Sequence, residues 1–158
     1  DNATTESAIL HSLDWLEEYE NYIPENIVLL QATSPVRSNN SIDKAFKKFI
    51  DNKADSLLSV CQFWHFLWQA KNDEAAHALY DFKNRPRRQD IPTEEIKLKE
   101  NGSIYITKSE LFKKNRNRLC GKIATFLMSE EESFEIDTHL DWLLNETILI
   151  KRLDDNLC

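Results

Sequence analysis

Glycine is nearly missing from this sequence. Only Gly102 and Gly121 occur in 158 residues, so no glycine-rich loop that would cradle a triphosphate behind an early strand can be drawn along it. Cysteine is scarce too. Cys61, Cys120 and Cys158 are odd in number and widely spaced, which excludes a disulfide framework and a zinc pattern. Positive charge is in deficit: 20 Lys and Arg stand against 27 Asp and Glu, a net charge of -7. A general nucleic-acid binder would show the opposite balance. No apolar run is long enough to span a bilayer, so neither nucleic acid nor membrane is expected as a partner. The opening DNATTESAIL lacks the basic and apolar regions of a signal peptide, and a cytoplasmic setting is the simplest expectation.

What is present is an ordinary globular mixture, 41% hydrophobic and 30% charged, in a length that suits one domain, residues 1–158. The chain is organised around IVLLQATSPVR, Ile27 to Arg37. Ile27, Val28, Leu29 and Leu30 form a short, partly β-branched run, which reads as a strand buried on both faces in a parallel sheet. Small polar residues and Pro35 then open a loop. Ligands of open α/β sheets sit beyond the carboxyl ends of the strands, which points to Gln31, Thr33, Ser34 and Arg37.

Around that stretch the spacing predicts a helix over residues 4–19, capped by Thr4 or Thr5, with Ile9, Leu13 and Leu16 on one face. A second helix begins at Ser41 and a buried strand covers residues 56–61. Helix, strand, helix, strand argues for βαβ units on a parallel sheet. Period is lost at Gln62. FWHFLW, a polar run and RPRRQD mark residues 62–100 as either an excursion over one end of the sheet or an arm for a second subunit, where aromatics and Arg are enriched. Strands are expected again at residues 103–107 and 122–128, with a short helix at 109–115 between them. A closing helix runs over residues 138–150, with Leu140, Leu143 and Leu144 inward.

Three local patterns could carry chemistry. Glu135 and Asp137 lie two apart in an extended piece, so their carboxylates share a side and suit Mg2+ shared with phosphates. The same acids could simply favour the start of the closing helix. Arg85, Arg87 and Arg88 surround Pro86, and Arg grips carboxylates and phosphates in a bidentate fork. A solvated basic loop or a nuclear-import patch has the same composition. Asn101-Gly102-Ser103 offers a tight turn with a donor and acceptor beside it.

In order along the chain, LLQATSPVR, RPRRQDIP, ENGSIYI and SFEIDTHLDW resemble the acylneuraminate cytidylyltransferases. The resemblance runs from Asp1 to about Glu146. It implies a nucleotide-diphospho-sugar transferase-like α/β fold, a mostly parallel sheet flanked by helices, with residues 62–100 as a dimerisation and substrate arm. It implies transfer of CMP from CTP to the anomeric hydroxyl of a nine-carbon acidic sugar, in a homodimer that uses Mg2+. By position, Thr5 matches a hydroxyl near the cytosine and Gln31 a residue that reads the sugar. Arg88 and Lys99 match basic residues that reach across the dimer, and Asn101 and Tyr105 match the sugar pocket. Glu135 and Asp137 match the metal acids and are the catalytic pair. In an animal, nuclear localisation would follow from the basic patch.

The sequence departs from the family in several ways. Glu135 stands where the family usually has Asp, and Lys99 replaces a common Arg. The family's N-terminal strand and glycine-rich loop have no counterpart, which predicts a fold incomplete at its N-terminus, the carboxy-terminal two-thirds of the enzyme. Two further readings therefore stand beside the first: a non-catalytic dimeric fragment or pseudoenzyme, and a cytidylyltransferase for legionaminate, pseudaminate or an ulosonate.

Overall fold

A computed structural model of the chain describes residues 3–71 and 75–155. Contacts divide it into two units, one formed by residues up to Cys61 and from Glu100 onward, the other by Gln62–Lys99.

In the larger unit, helix α1 (Thr5–Glu20) starts at Thr4, whose hydroxyl accepts from Ser7 N at 3.1 Å. The chain then enters strand β1 (Asn26–Leu29), helix α2 (Ser41–Asp51) and strand β2 (Ser56–Phe63). Two-residue strands β3 (Trp68–Gln69) and β4 (His77–Ala78) belong to the smaller unit. Strand β5 (Lys97–Lys108), helix α3 (Ser109–Asn115), strand β6 (Ile123–Leu127) and helix α4 (His139–Asp155) complete the order.

The central sheet has the order β1-β5-β2-β6. β2 and β6 are parallel, Leu57 opposite Ala124, whereas β1 and β5 are antiparallel, Leu29 opposite Tyr105. β5 also runs against β2: Asp55 O accepts from Lys108 N, while Ser59 Oγ accepts from Ile104 N four residues further back along β5. Three of these strands thus share one direction, and β5 opposes them. This mostly parallel sheet flanked by helices agrees with the fold class read from the sequence. It differs in one respect. β1 and β2 are not neighbours, because β5 is inserted between them, and β1 is an edge among the described strands. Val28 is accordingly 40% exposed, not buried on both faces.

Amphipathic α2 closes one face. Ala45 and Phe49 pack with Ala54, Leu57, Ile104, Ile106 and Met128, and Phe46, Ala124 and Phe126 lie against that cluster. Ile104 and Ile106 point to the same side because strand side chains alternate. Tyr105 and Thr107 therefore face the other side of β5.

α4 corrects another expectation. Leu140, Leu143 and Leu144 do not face inward; Leu140 is 73% exposed and Leu143 46%. The helix turns Asn145, 1% exposed, toward the protein instead. The two leucine environments set different stability costs. Phe49→Ala should destabilise by about 3–5 kcal/mol, as cavity-forming core changes do. Leu140→Ser should cost less than about 0.5 kcal/mol, the usual range for exposed sites. Urea midpoints of the two variants compare them directly, and equal losses would contradict this packing.

Candidate active site

Three segments of the larger unit meet at Gly102: the loop after β1, the turn within β5, and the acidic loop before α4. Gly102 has φ +64, and a Cβ built there would lie 2.7 Å from Gln31 Oε1 and 2.8 Å from Glu135 Oε2. The missing side chain is what lets Gln31 and Glu135 converge. Both are half-buried.

Each segment is tied to the others. The Arg37 guanidinium donates through Nη2 to Gln31 O at 3.0 Å and Ser103 O at 2.9 Å. Burial lowers its pKa from the ordinary arginine value. Ser34, 1% exposed, donates its hydroxyl to Asn101 O at 3.2 Å. Thr33 O accepts from Ile136 N at 2.8 Å. Of the residues at the end of β1, Gln31 therefore reaches the convergence point, whereas the side chains of Ser34 and Arg37 shape the loop.

Asn101 lies beneath the site. It is fully buried, and its Oδ1 accepts from Ser59 Oγ at 2.6 Å and from Ser103 N at 3.3 Å. Its Nδ2 donates to Ser133 Oγ at 2.9 Å. An amide engaged in this way holds the Gly102 turn in place and offers no surface, in contrast to the sugar-pocket contact expected from the sequence. Tyr105, 4% exposed, donates its hydroxyl to Glu100. Burial foremost, then the hydrogen bond to Glu100, raises its pKa far above the ordinary phenol value. The Arg118 guanidinium covers the Tyr105 ring at 4.9 Å and reaches Glu6 Oε1 at 3.1 Å through Nε. Arg118 thereby links Tyr105 to the first turn of α1, beside half-buried Thr5. Nothing in the polar stretch NRNRLC singled out Arg118.

The acidic loop contains a carboxylate that the sequence reading passed over. Glu132, 8% exposed, accepts from Ser38 N at 2.6 Å, and from Ser129 N and Oγ at 3.2 and 2.9 Å. Burial pushes its pKa up, but the donors of Ser38 and Ser129 outweigh it and hold the carboxyl below its ordinary value. Its stabilising contribution is thus present above the ordinary carboxylate range and is lost as pH falls through the depressed folded value. The signal was available: Ser129-Glu130-Glu131-Glu132 has the S-x-x-E spacing of a capping box. The same device recurs at α4. Asp141 Oδ2 accepts from Thr138 N and Thr138 Oγ1, each at 2.8 Å. Asp141 thereby caps the start of α4.

Asp137 is exposed, two residues beyond Glu135. A pair of carboxylates is a donor set that Mg2+ accepts when water and phosphate oxygens fill the rest of its shell. Among the described residues no group of three or more His, Cys, Asp or Glu side chains could hold a metal ion. Glu135 and Asp137 are thus at most two carboxylates of a metal site, and the described residues hold no cation cage of protein ligands.

Arg88 and Lys99 belong to the smaller unit. There the Arg88 guanidinium lies 4.8 Å above the Trp64 ring, and Arg85 lies 4.5 Å above Phe66. Arg87 pairs with Asp90 at 2.6 Å. These aromatics, with Leu67, Tyr80 and Ile96, line a cavity of about 510 Å3. Lys99 is exposed on the first half of β5.

Comparison with known proteins bears on this arrangement. No family model matches the chain. It is 32% identical over 146 residues to N-acylneuraminate cytidylyltransferase B of Danio rerio. It is 33% identical over 147 residues to the N-acylneuraminate cytidylyltransferase of Oncorhynchus mykiss. Each match covers 89% of this chain. Over that shared stretch the chain is homologous to the acylneuraminate cytidylyltransferases. It spans about a third of the length of the two fish proteins, 34% and 33%. A flagellin modification protein of Campylobacter coli, 26% identical over 84% of this chain and 56% of its own length, is a more distant relative. Among solved structures, a 4-diphosphocytidyl-2C-methyl-D-erythritol synthase from Anaerococcus prevotii superposes with a TM-score of 0.56. That match has 13% identity and covers 94% of this chain and 67% of that one. It supports the α/β fold. No helix among the described residues is long and apolar enough to cross a membrane.

Proposed function

We propose that the protein carrying this chain is a cytidylyltransferase that moves CMP from CTP to the anomeric hydroxyl of an N-acylneuraminate. The observation that carries this reading is the convergence of Gln31 and Glu135 over Gly102, in a chain whose relatives bear that activity in their names. The anomeric oxygen attacks the α-phosphorus, the bond to the departing phosphate breaks, and pyrophosphate leaves as the hydroxyl loses its proton. Gln31, with a carbonyl and an amide to offer, orients the sugar. Arg37, Asn101 and Ser34 hold the turn on which that orientation depends. Glu135 and Asp137 are the residues that would hold Mg2+, which when bound would neutralise phosphate charge and polarise the attacked phosphorus.

Tyr105 supports the sugar side through its ring, and Thr5 stands by the cytosine. Arg88 and Lys99 supply positive charge for the acid substrate from the arm of a second subunit, in a cytoplasmic homodimer. The likeness to a flagellin modification protein favours a second reading of the same chemistry, with a related sugar acid such as legionaminate or pseudaminate as acceptor. Glu135 in the position of the family's usual Asp favours a non-catalytic relative.

Pyrophosphate release separates these readings. The intact protein is incubated with CTP, Mg2+ and a panel of nine-carbon sugar acids. Turnover with N-acetylneuraminate is expected, and turnover with a different acid alone would move the assignment to that acceptor. Silence across the panel from a folded dimer would establish the pseudoenzyme.

A further inference from the structure

Glu132 sits outside the set of residues that the family resemblance assigns, yet it joins the loop after Gln31 to the loop that carries Glu135 and Asp137. Its Oε1 accepts from Ser38 N at 2.6 Å, with Ser41 Oγ at a longer 3.5 Å. Its Oε2 accepts from Ser129 N at 3.2 Å and from Ser129 Oγ at 2.9 Å. One oxygen therefore serves the loop after β1 and the other serves the acidic loop.

Both attachments lead to the convergence point within a few residues. Ser38 follows Arg37, whose guanidinium grips Gln31 O and Ser103 O. Ser133 follows Glu132, donates its hydroxyl to Ser129 O at 2.7 Å and accepts from Asn101 Nδ2 at 2.9 Å. Asn101 precedes Gly102. The chain of bonds from Gln31 through Arg37, Glu132 and Ser133 back to Asn101 links the segments on which Gln31 and Glu135 stand. Two backbone N–H donors and a hydroxyl on a single buried carboxylate form charge-assisted bonds, stronger and shorter than neutral ones.

We propose that Glu132 is a positioning residue: its buried carboxylate sets the separation between the sugar-reading Gln31 and the metal acid Glu135 while touching no substrate. This rests on the cytidylyltransferase reading of the site. Glu132→Gln keeps the volume but replaces one oxygen by an NH2 group, which then faces N–H and O–H donors. Glu132→Asp keeps the charge and withdraws it by one methylene. Ser129→Ala deletes one donor and leaves Ser129 N in place.

Steady-state pyrophosphate release by the intact protein, with CTP, Mg2+ and N-acetylneuraminate, well below each variant's melting temperature, tests the proposal. Displacement of catalytic groups by an ångström or so costs about 10²-fold in rate. Glu132→Gln is expected to lower kcat/KM for the sugar acid by about 10- to 100-fold, through a raised sugar KM together with a lowered kcat. Glu132→Asp should recover part of that loss. Ser129→Ala should move the same parameters in the same direction by a smaller factor. A folded Glu132→Gln protein with a lower melting temperature but wild-type kcat and KM would overturn the proposal, because Glu132 would then only stabilise the fold. If Glu132→Gln fails to fold, Ser129→Ala decides, and unchanged kinetics there overturn it equally. No turnover by the wild-type protein would remove the reading of the site and this inference with it. Loss confined to the variants leaves that reading standing.

Discussion

Gly102→Ala is expected to cost both activity and stability. The backbone at Gly102 has φ +64, a left-handed conformation that a residue with a Cβ adopts at a cost of about 1–3 kcal/mol. The atoms that the new methyl would meet are the ends of two side chains, Gln31 Oε1 at 2.7 Å and Glu135 Oε2 at 2.8 Å. Side-chain ends swing away at little cost to the fold, but in swinging they leave the positions from which, on the proposed reading, both address one substrate. A loss of about 10²-fold in kcat/KM follows from such a displacement. Gly102→Asn separates the two effects. Asn tolerates the left-handed region better than other residues with a Cβ, so the urea midpoint should recover relative to Gly102→Ala. Activity should not recover, because the Cβ remains. If both variants turn over like the wild type, Gln31 and Glu135 do not act together at this point.

How much of this could be read beforehand depended on how local each cause was. α3, Ser109–Asn115, and the starts of α2 and β2 follow from apolar spacing and polar breaks within a few residues, and sequence reasoning places them at those residues. β5 begins at Lys97, six residues before the Ser103 start expected, because the exposed stretch Lys97–Glu100 lacks the hydrophobic signal used to find strands. Its insertion between β1 and β2 is a pairing of residues some 50 to 80 positions apart in the numbering, and no local pattern encodes that.

The site divides in the same way. Gln31 at the end of β1 and Glu135 in the acidic loop were each visible from a motif, and the structure places them side by side. Asn101 was also visible, but as a polar residue beside a glycine it could face outward or inward. Its burial is decided by Ser59, Ser103 and Ser133, from three separate segments. Glu132 sits in the run SEEES, where one acid resembles the next. Only the fold reveals which of them meets Ser38 N. In α4 the leucines obey a helical period, but period identifies a face without saying what that face meets.

Asp137→Ala should abolish Mg2+-dependent turnover and leave the fold alone. Asp137 is exposed at the entrance to α4. The cap of that helix depends on Thr138 and Asp141, whose Oδ2 accepts from Thr138 N and Oγ1 at 2.8 Å. Removing the Asp137 carboxylate therefore leaves the capping side chains in place, and the thermal midpoint should match that of the wild type. The catalytic cost is different in kind. A metal held against the phosphates contributes several kcal/mol of transition-state stabilisation. Since each 1.4 kcal/mol is tenfold in rate, the loss should be about 10³-fold. Added Mg2+ should not restore it, because Glu135 alone then faces the ion. Glu135→Asp is the complementary variant. It keeps the charge, shortens the arm to the length usual in the family, and should shift the Mg2+ concentration needed for half-maximal rate without abolishing turnover. Asp141→Ala is the control for the helix: it should lower the midpoint through loss of the cap, by about 1 kcal/mol, and leave the Mg2+ dependence unchanged. Asp137→Ala turning over normally at ordinary Mg2+ would sink the metal assignment. Were Asp141→Ala the variant that shifts the Mg2+ dependence, the ion would lie one helical turn further along, on α4 itself.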